Sequence, residues 1–291
     1  MYNSLIMHKG IEKTMIDLHI HSDLSDGTDS IEAIVEIARL SGIKEFSLTD
    51  HDTVSGINRI SSIASQYDMT VIPAIELTSV SNGHSIHMLG YLIDHANRQL
   101  LDFIKITNEY TTKYSLDMIA KLKRLGVIDY SAARVEKLMS FKDSIYLSDL
   151  IKAMIIDGHP YTLKDWPAFY MRTYNRFSYT FPERFPFSSA DAVEIIIEAG
   201  GIPVFAHPAR LGNEDLKEMD KLLPHGLGGV EVYYPYHDDK LNKRYNDFVS
   251  KHNLVATGGS DWHGDFTTWD AIIGQYGIKD TKLLYQFADA R

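Results

Sequence analysis

Cysteine is absent from this 291-residue chain. That excludes disulfides and thiolate metal sites and leaves His, Asp and Glu as the side chains able to hold a metal. Long apolar runs are missing too: none approaches the roughly 20 residues that cross a bilayer. The first fourteen residues carry Lys9, Glu12 and Lys13 and lack a small-residue cleavage segment, so 1–14 reads as an N-terminal extension, not a signal peptide, and the chain is expected in the cytoplasm. Positive charge is in deficit, with 29 Lys and Arg against 39 Asp and Glu and a formal net charge of −10. This argues against stable binding of duplex nucleic acid, which draws its affinity from clustered cations. Neither a Gly-x-Ser-x-Gly elbow nor a Gly-x-x-x-x-Gly-Lys phosphate loop occurs. What is present is 44% apolar and 23% charged, ordinary for a globular chain long enough for one core with an insertion or for two modest domains.

Histidine is where the pattern lies. Met15-Ile16-Asp17-Leu18-His19-Ile20-His21 reads as a short strand, and alternation puts His19 and His21 on one face with Leu18 and Ile20 on the other. Two imidazoles side by side suit a zinc, iron or manganese ion; a hydrogen-bonded pair at a strand end is the alternative. Asp26 adds a hard oxygen donor just beyond, in the Asp26-Gly27 turn.

The chain then alternates. Ser30 is placed to cap a helix through about Ser41, with Ile31, Ile34, Val35 and Ala38 as its apolar stripe and Gly42 as its end. A strand over Phe46–Thr49 delivers Asp50-His51-Asp52-Thr53, a helix follows over about Val54–Tyr67, and a strand over Thr70–Leu77 carries Glu76 near its end. His84–Leu92 reads as a further strand carrying His87. Such alternation predicts a parallel sheet with helices outside. From 94 to 189 the pattern becomes helical (Leu100–Leu125, Ala132–Met139, Leu147–Ile156) and ends in a loop dense in Tyr, Phe, Arg and Pro, which we read as an inserted cap. Residues 15–93 and 190–291 then make one discontinuous domain. In the second part a helix over Ala190–Ala199 precedes a strand over Ile202–Ala206 that ends in His207-Pro208; Gly229–Tyr233 and Leu254–Thr257 are strands, the latter running into Gly259-Ser260-Asp261-Trp262-His263-Gly264.

On this reading His19, His21, His51, Glu76, His87, His207, Asp261 and His263 each fall at or just past the C-terminal end of a predicted strand, the edge where barrels and open parallel sheets build their sites. Any one of them has a bland explanation as a core histidine. Their joint placement predicts a shared metal site. Asp50 and Asp52, flanking His51, are better read as supporting or capping groups than as ligands.

Asp17-Leu18-His19-Ile20-His21-Ser22, Leu48-Thr49-Asp50-His51-Asp52-Thr53, Ile75-Glu76, His87-Met88-Leu89-Gly90-Tyr91, Ala206-His207-Pro208 and Gly259-Ser260-Asp261-Trp262-His263-Gly264 resemble, in order and approximate spacing, the motifs of the polymerase and histidinol phosphatase (PHP) superfamily. The resemblance implies a distorted (β/α)7 barrel, here with a mainly helical cap, and a trinuclear centre of three divalent ions (Mn, Fe or Zn). It assigns His19, His21, Glu76 and Asp261 to one ion; Glu76, His87 and His207 to a second; Asp26, His51 and His263 to the third. It also implies metal-dependent hydrolysis of a phosphomonoester by an activated water, with no protein nucleophile. The insertion is similar to that of small bacterial phosphoesterases acting on nucleotides, nucleoside 3',5'-bisphosphates or RNA 5' ends.

The bisphosphate-hydrolysing members carry arginines on the first cap helix and an Arg-x-His pair later. Tyr114 and Leu147-Ser148-Asp149 stand at those places here, and an Asp facing a phosphate would repel it. Arg210 and His237 are alternative candidates for substrate contact, each equally readable as a solvated loop residue. Arg172 and Arg176 complete the candidates, although for them and Lys113 a solvated position is the simpler reading. Tyr161, Trp166, Phe169, Tyr170, Tyr174 and Tyr179 either stack on a base or pack the cap. Competing functions are a histidinol-phosphate phosphatase, a metal-dependent amidohydrolase and a non-catalytic PHP module. The expected partner is a small phosphorylated substrate, a nucleotide or a short oligonucleotide, with no membrane.

Overall fold

The computed structural model describes residues 16–173, 185–267 and 271–289. The strands are β1 (Ile16–Asp17), β2 (Glu45–Phe46), β3 (Thr70–Val71), β4 (Ala74–Ser81), β5 (His84–Tyr91), β6 (Ile202–Phe205), β7 (Gly229–Tyr233) and β8 (Val255–Gly258). The helices are α1 (Ile31–Leu40), α2 (Ile57–Ala64), α3 (Arg98–Arg124), α4 (Ala132–Leu138), α5 (Asp149–Ile156), α6 (Trp166–Thr173), α7 (Ser189–Glu198), α8 (Asp215–Leu222), α9 (Asp239–His252) and α10 (Lys282–Asp289). The architecture is mixed α/β, and no helix among the described residues is long and apolar enough to cross a membrane.

Two sheets form, one of order β1-β2-β3 and one of order β4-β5-β6-β7-β8. The first is parallel throughout, as is the β6-β7-β8 part of the second. The expectation of a wholly parallel sheet fails at β5, which runs antiparallel to both β4 and β6. The cause is a two-residue hairpin: Asn82 and Gly83 both take positive φ (49° and 78°) between β4 and β5, the Asn-Gly turn that matches the twist of an antiparallel pair. The same hairpin puts Glu76 and His87 within strands, not at strand ends, Glu76 facing Leu89 and His87 facing Thr78 in register. The irregular segments that leave the strands join the sheets. Leu18 N–H donates to Gly258 O (3.3 Å) and Asp52 N–H to Glu76 O (3.0 Å), while Ser47 N–H donates to Asp17 O (2.9 Å) within the first sheet.

Local sequence accounts for the helices. Ser30 Oγ accepts from the Ala33 N–H (3.3 Å), and α1 buries Ile31, Ile34, Val35 and Ala38 in a cluster with Phe46, Leu48 and Ile60. Part of the aromatic stretch departs from the loop reading of that region: Trp166–Thr173 forms α6, after a capping box in which Thr162 and Asp165 exchange hydrogen bonds. The C-terminal helix α10 was not anticipated from sequence; it packs Leu284 against the cluster of Ile16, Leu18, Ile202, Val204 and Val255. One core lies between α7–α9 and the five-stranded sheet, with Ile75, Met88, Ile196, Val230 and Tyr245 among its buried members. A second is built on α3–α6 from Ile119, Leu122, Val135, Leu150, Met154 and Phe169. The first half of α3 joins the first core through Leu100, Phe103 and Ile104, and its second half the other, so this helix links the two cores.

Candidate metal centre

Segments leaving β1, β2, β6 and β8, together with the middle of the β4–β5 hairpin, converge on one buried cluster. His19, His21 and Glu76 are fully buried, and Asp261 and His207 nearly so. His19 Nε2 lies 3.1 Å from His21 Nε2, 3.1 Å from Glu76 Oε2 and 3.3 Å from Asp261 Oδ1; His21 Nε2 lies 3.2 Å from the same Glu76 oxygen and 3.3 Å from Asp261 Oδ1. On the other side of the carboxylate, Glu76 Oε1 lies 3.0 Å from His207 Nε2 and 3.2 Å from His87 Nδ1. Further out, His263 Nε2 lies 3.2 Å from Asp26 Oδ1. Three groups offer ligand atoms mutually within 4.8 Å: His19, His21, Glu76 and Asp261; His51, Glu76 and His87; and His21, Asp26, His51 and His263.

The nine residues named from sequence thus come together, but the grouping departs from the implied division in three ways: His207 falls in none of the three groups and meets the cluster through Glu76. His51 Nδ1 approaches Glu76 Oε2 at 3.3 Å and so belongs to two groups. His21 likewise serves two, one through each ring nitrogen. The donor set fits divalent cations. His21 Nδ1, His51 Nδ1, His87 Nδ1 and Asp26 Oδ1 are buried and make no hydrogen bond, a costly state for polar atoms unless an ion takes their lone pairs. Electrostatics point the same way. Burial alone would raise the Glu76 carboxyl, yet His51, His19 and His87 hold it well below the usual carboxylate range. Burial alone would lower His19, yet the carboxylates of Glu231, Glu76 and Asp261 raise it well above the usual imidazole value. Positive charge is what this cage demands.

The cluster's backbone is held in uncommon conformations. Asp52, His207 and Asp261 have φ of 50°, 29° and 50°, the left-handed region that non-glycine residues enter at a cost when surrounding bonds impose it. Around them a ring of acceptors fixes the chain. Asp50 accepts from Ser22 N–H (2.7 Å), Ser22 Oγ–H (2.6 Å) and Ser25 Oγ–H (2.6 Å), and Asp52 accepts from Thr78 N–H (2.8 Å). Asp17 accepts from the N–H groups of His19, Ser260 and Gly274. At Gly259 the two ligand-bearing segments touch: a Cβ there would lie 2.4 Å from His19 Cβ, so only glycine fits.

Residues 17–163, just over half of the sequence, match the PHP domain family. The chain belongs to that family. Among related proteins, this PHP chain is 29% identical over 252 residues to a phosphoribosyl 1,2-cyclic phosphate 1,2-diphosphodiesterase of Eggerthella lenta, covering 86% of this chain and 94% of that one. It is 27% identical over 260 residues to a 3',5'-nucleoside bisphosphate phosphatase of Chromobacterium violaceum, covering 85% and 87%. Among solved structures it resembles a protein of Bifidobacterium adolescentis assigned to the metal-dependent phosphoesterases, with a TM-score of 0.80, 25% identity and 96% of each chain covered.

A cavity of about 610 Å³ opens between the PHP cluster and the insertion. Asp26, His51, Glu76, His87, His207, Asp261 and His263 form its floor, and Tyr110, Tyr114, Tyr146, Trp166, Tyr170, Phe185 and Phe266 line it from the other sides. A roomier cleft of about 890 Å³ runs beside α3 but contains none of the cluster residues, so the chemistry lies in the smaller one. Arg210 is the only Lys or Arg lining the cavity among the described residues. Its Nη2 donates to Asp261 Oδ2 (2.9 Å) and to Tyr234 Oη (2.7 Å), with 46% of the side chain still exposed.

The other substrate candidates separate. His237 is buried behind Tyr234, its ring 5.1 Å from that of Tyr234 and its Nδ1 hydrogen-bonded to Val232 O, away from the cavity. Arg172 is exposed and reaches Tyr161 Oη. Arg176, with Tyr174 and Tyr179, lies outside the described residues. Trp166 and Tyr170 line the cavity, whereas Phe169 is buried in the insertion's core with Tyr161 against it. The repulsion expected from Asp149 is corrected: it is fully buried and accepts from Lys142 Nζ through both oxygens (2.7 Å each), so it does not face the cavity.

One residue of the site was missed. Glu231, fully buried on β7, accepts at Oε1 from His19 Nδ1 (2.8 Å) and at Oε2 from the His207 backbone N–H (2.8 Å). A carboxylate in the otherwise apolar strand Gly229-Val230-Glu231-Val232 was the signal, since an unpaired buried charge is untenable.

Proposed function

We propose that the chain is a metal-dependent phosphoesterase hydrolysing a phosphomonoester of a nucleotide or other small metabolite, with nucleoside 3',5'-bisphosphates and RNA 5' ends in the same class. The observation that carries this is the division of Glu76, one oxygen toward His19, His21 and His51 and the other toward His87 and His207. A single buried carboxylate shared in this way is suited to bridging neighbouring cations. The nine residues His19, His21, Asp26, His51, Glu76, His87, His207, Asp261 and His263 would hold three ions of the manganese, iron or zinc type. Such ions supply an acidified water and neutralise phosphoryl charge.

The chain's own side chains do the rest. Asp261 fixes Arg210 on the cavity rim, where its remaining N–H groups can meet a phosphate oxygen. Tyr110, Tyr114, Trp166 and Phe185 exclude water from the cleft and offer apolar faces to the organic part of the ester. The two sheets, stitched by the bonds of Leu18 and Asp52, are read as one distorted (β/α)7 barrel, with 94–189 as its cap.

A cyclic phosphodiester is the second reading, favoured by the 29% identity to a diphosphodiesterase over 94% of that protein's length. Metal analysis of the purified protein, with a panel of nucleoside bisphosphates, nucleotides, short oligonucleotides, histidinol phosphate and cyclic ribose phosphates, tests both. Turnover of a phosphate ester by the metal-loaded protein is expected. A metal-loaded protein inert on the whole panel but active on an amide would replace this reading with an amidohydrolase.

A further inference from the structure

Glu231 lies outside the nine cluster residues and does not line the cavity, yet its two oxygens touch two of the segments that build the cluster. Oε1 takes the Nδ1 hydrogen of His19 and Oε2 takes the backbone hydrogen of His207. Both partners are donors, so the residue between them must accept twice. A carboxylate can; a carboxamide of the same shape cannot, because one of its two ends is an NH2.

We propose that Glu231 is a positioning residue that sets the tautomer of His19, an inference that rests on the metal-centre reading above. With Glu231 accepting at Nδ1, the His19 proton is held on the outer face of the ring. The Nε2 lone pair then points at Glu76, Asp261 and His21, whose ligand atoms lie 3.1 to 3.3 Å away. The neutral ring can bind a cation only in that tautomer. The same carboxylate holds the His207 N–H, and His207 occupies a left-handed conformation with φ 29°. One side chain therefore orients a ring on the β1 exit and braces the backbone at the β6 exit.

Glu231→Gln separates this role from bulk. If the glutamine oxygen accepts from His207 N–H, its NH2 faces His19 Nδ1. That nitrogen must then become the acceptor, which moves the ring proton to Nε2, the atom that should bind the ion. If the amide turns the other way, two donors meet at His207.

The test is titration of Mn2+ into metal-stripped protein by calorimetry, with thermal melting of the stripped protein in parallel. Glu231→Gln is expected to weaken the tightest Mn2+ site about 10- to 100-fold, a larger loss than any accompanying fall in metal-free melting temperature accounts for. In a His19→Asn background the same change is expected to add little further loss, since the two act as one unit.

Wild-type affinity in Glu231→Gln overturns the proposal, as does an undiminished loss in the His19→Asn background, or a fall in metal-free stability that accounts for the weakened binding. Failure of the wild-type protein itself to bind Mn2+ would instead remove the metal-centre reading, and this inference with it.

Discussion

At the scale of single residues, the site was legible because its side chains are chemically conspicuous. Nine of its side chains are His, Asp or Glu in a chain without cysteine, and their motifs sit at breaks in an otherwise apolar pattern. Glu231 escaped because it has no motif: its significance is a pair of contacts to residues 212 and 24 positions earlier in the chain. His237 misled for the opposite reason, since a histidine after a strand looks like a rim residue until Tyr234 is seen to cover it. Two expectations belong at this scale. Asp261→Asn removes a charge that faces His19, His21 and Arg210, and kcat/KM on a phosphate ester in saturating metal is expected to fall by about 100-fold or more. Retention of wild-type activity would show that the centre lies elsewhere. Arg210→Ala is expected to raise KM about tenfold, the worth of one charge-assisted hydrogen bond, and an unchanged KM would remove Arg210 from the substrate.

At the scale of elements, the alternation of strand and helix announced the α/β class, and the helix boundaries came out within a few residues where caps were strong, as at Ser30 and Asn97. The β4–β5 hairpin was obscured because His84–Tyr91 was read within a parallel repeat and the Asn82-Gly83 signal passed over. The insertion hid its anchorage altogether. Lys142 and Asp149 form a fully buried pair, with Lys152 at 3.3 Å from the same carboxylate, and burial pushes the Lys142 amine down to about 8 despite its partner. From this knot Lys152 donates to Gly27 O (2.8 Å) and Tyr146 to His51 O (2.7 Å), tying the α4–α5 region to two segments of the cluster. Asp149→Asn strands the buried ammonium and is expected to cost about 3–5 kcal/mol, measured by urea unfolding. A loss below about 1 kcal/mol would mean that Lys152 or water takes over.

At the scale of the whole molecule, the formal charge of −10 and the concentration of carboxylates and histidines at one point make cations part of the stability balance. Metal stripping is therefore expected to lower the melting temperature by about 10 °C and Mn2+ to restore it, since saturating ligand adds about 4 kcal/mol at a thousandfold excess over Kd. An identical melt with and without chelator would contradict this. The segment Leu18–His21 is wedged between Ser47–Thr49 and Gly258–Trp262, so the first strand finds one of its neighbours near the far end of the chain. During synthesis the polypeptide emerges with five of its imidazoles long before Asp261 and His263 leave the ribosome. Two of the three donor groups therefore stay incomplete until those residues have been made, whereas His51, Glu76 and His87 are all present much earlier.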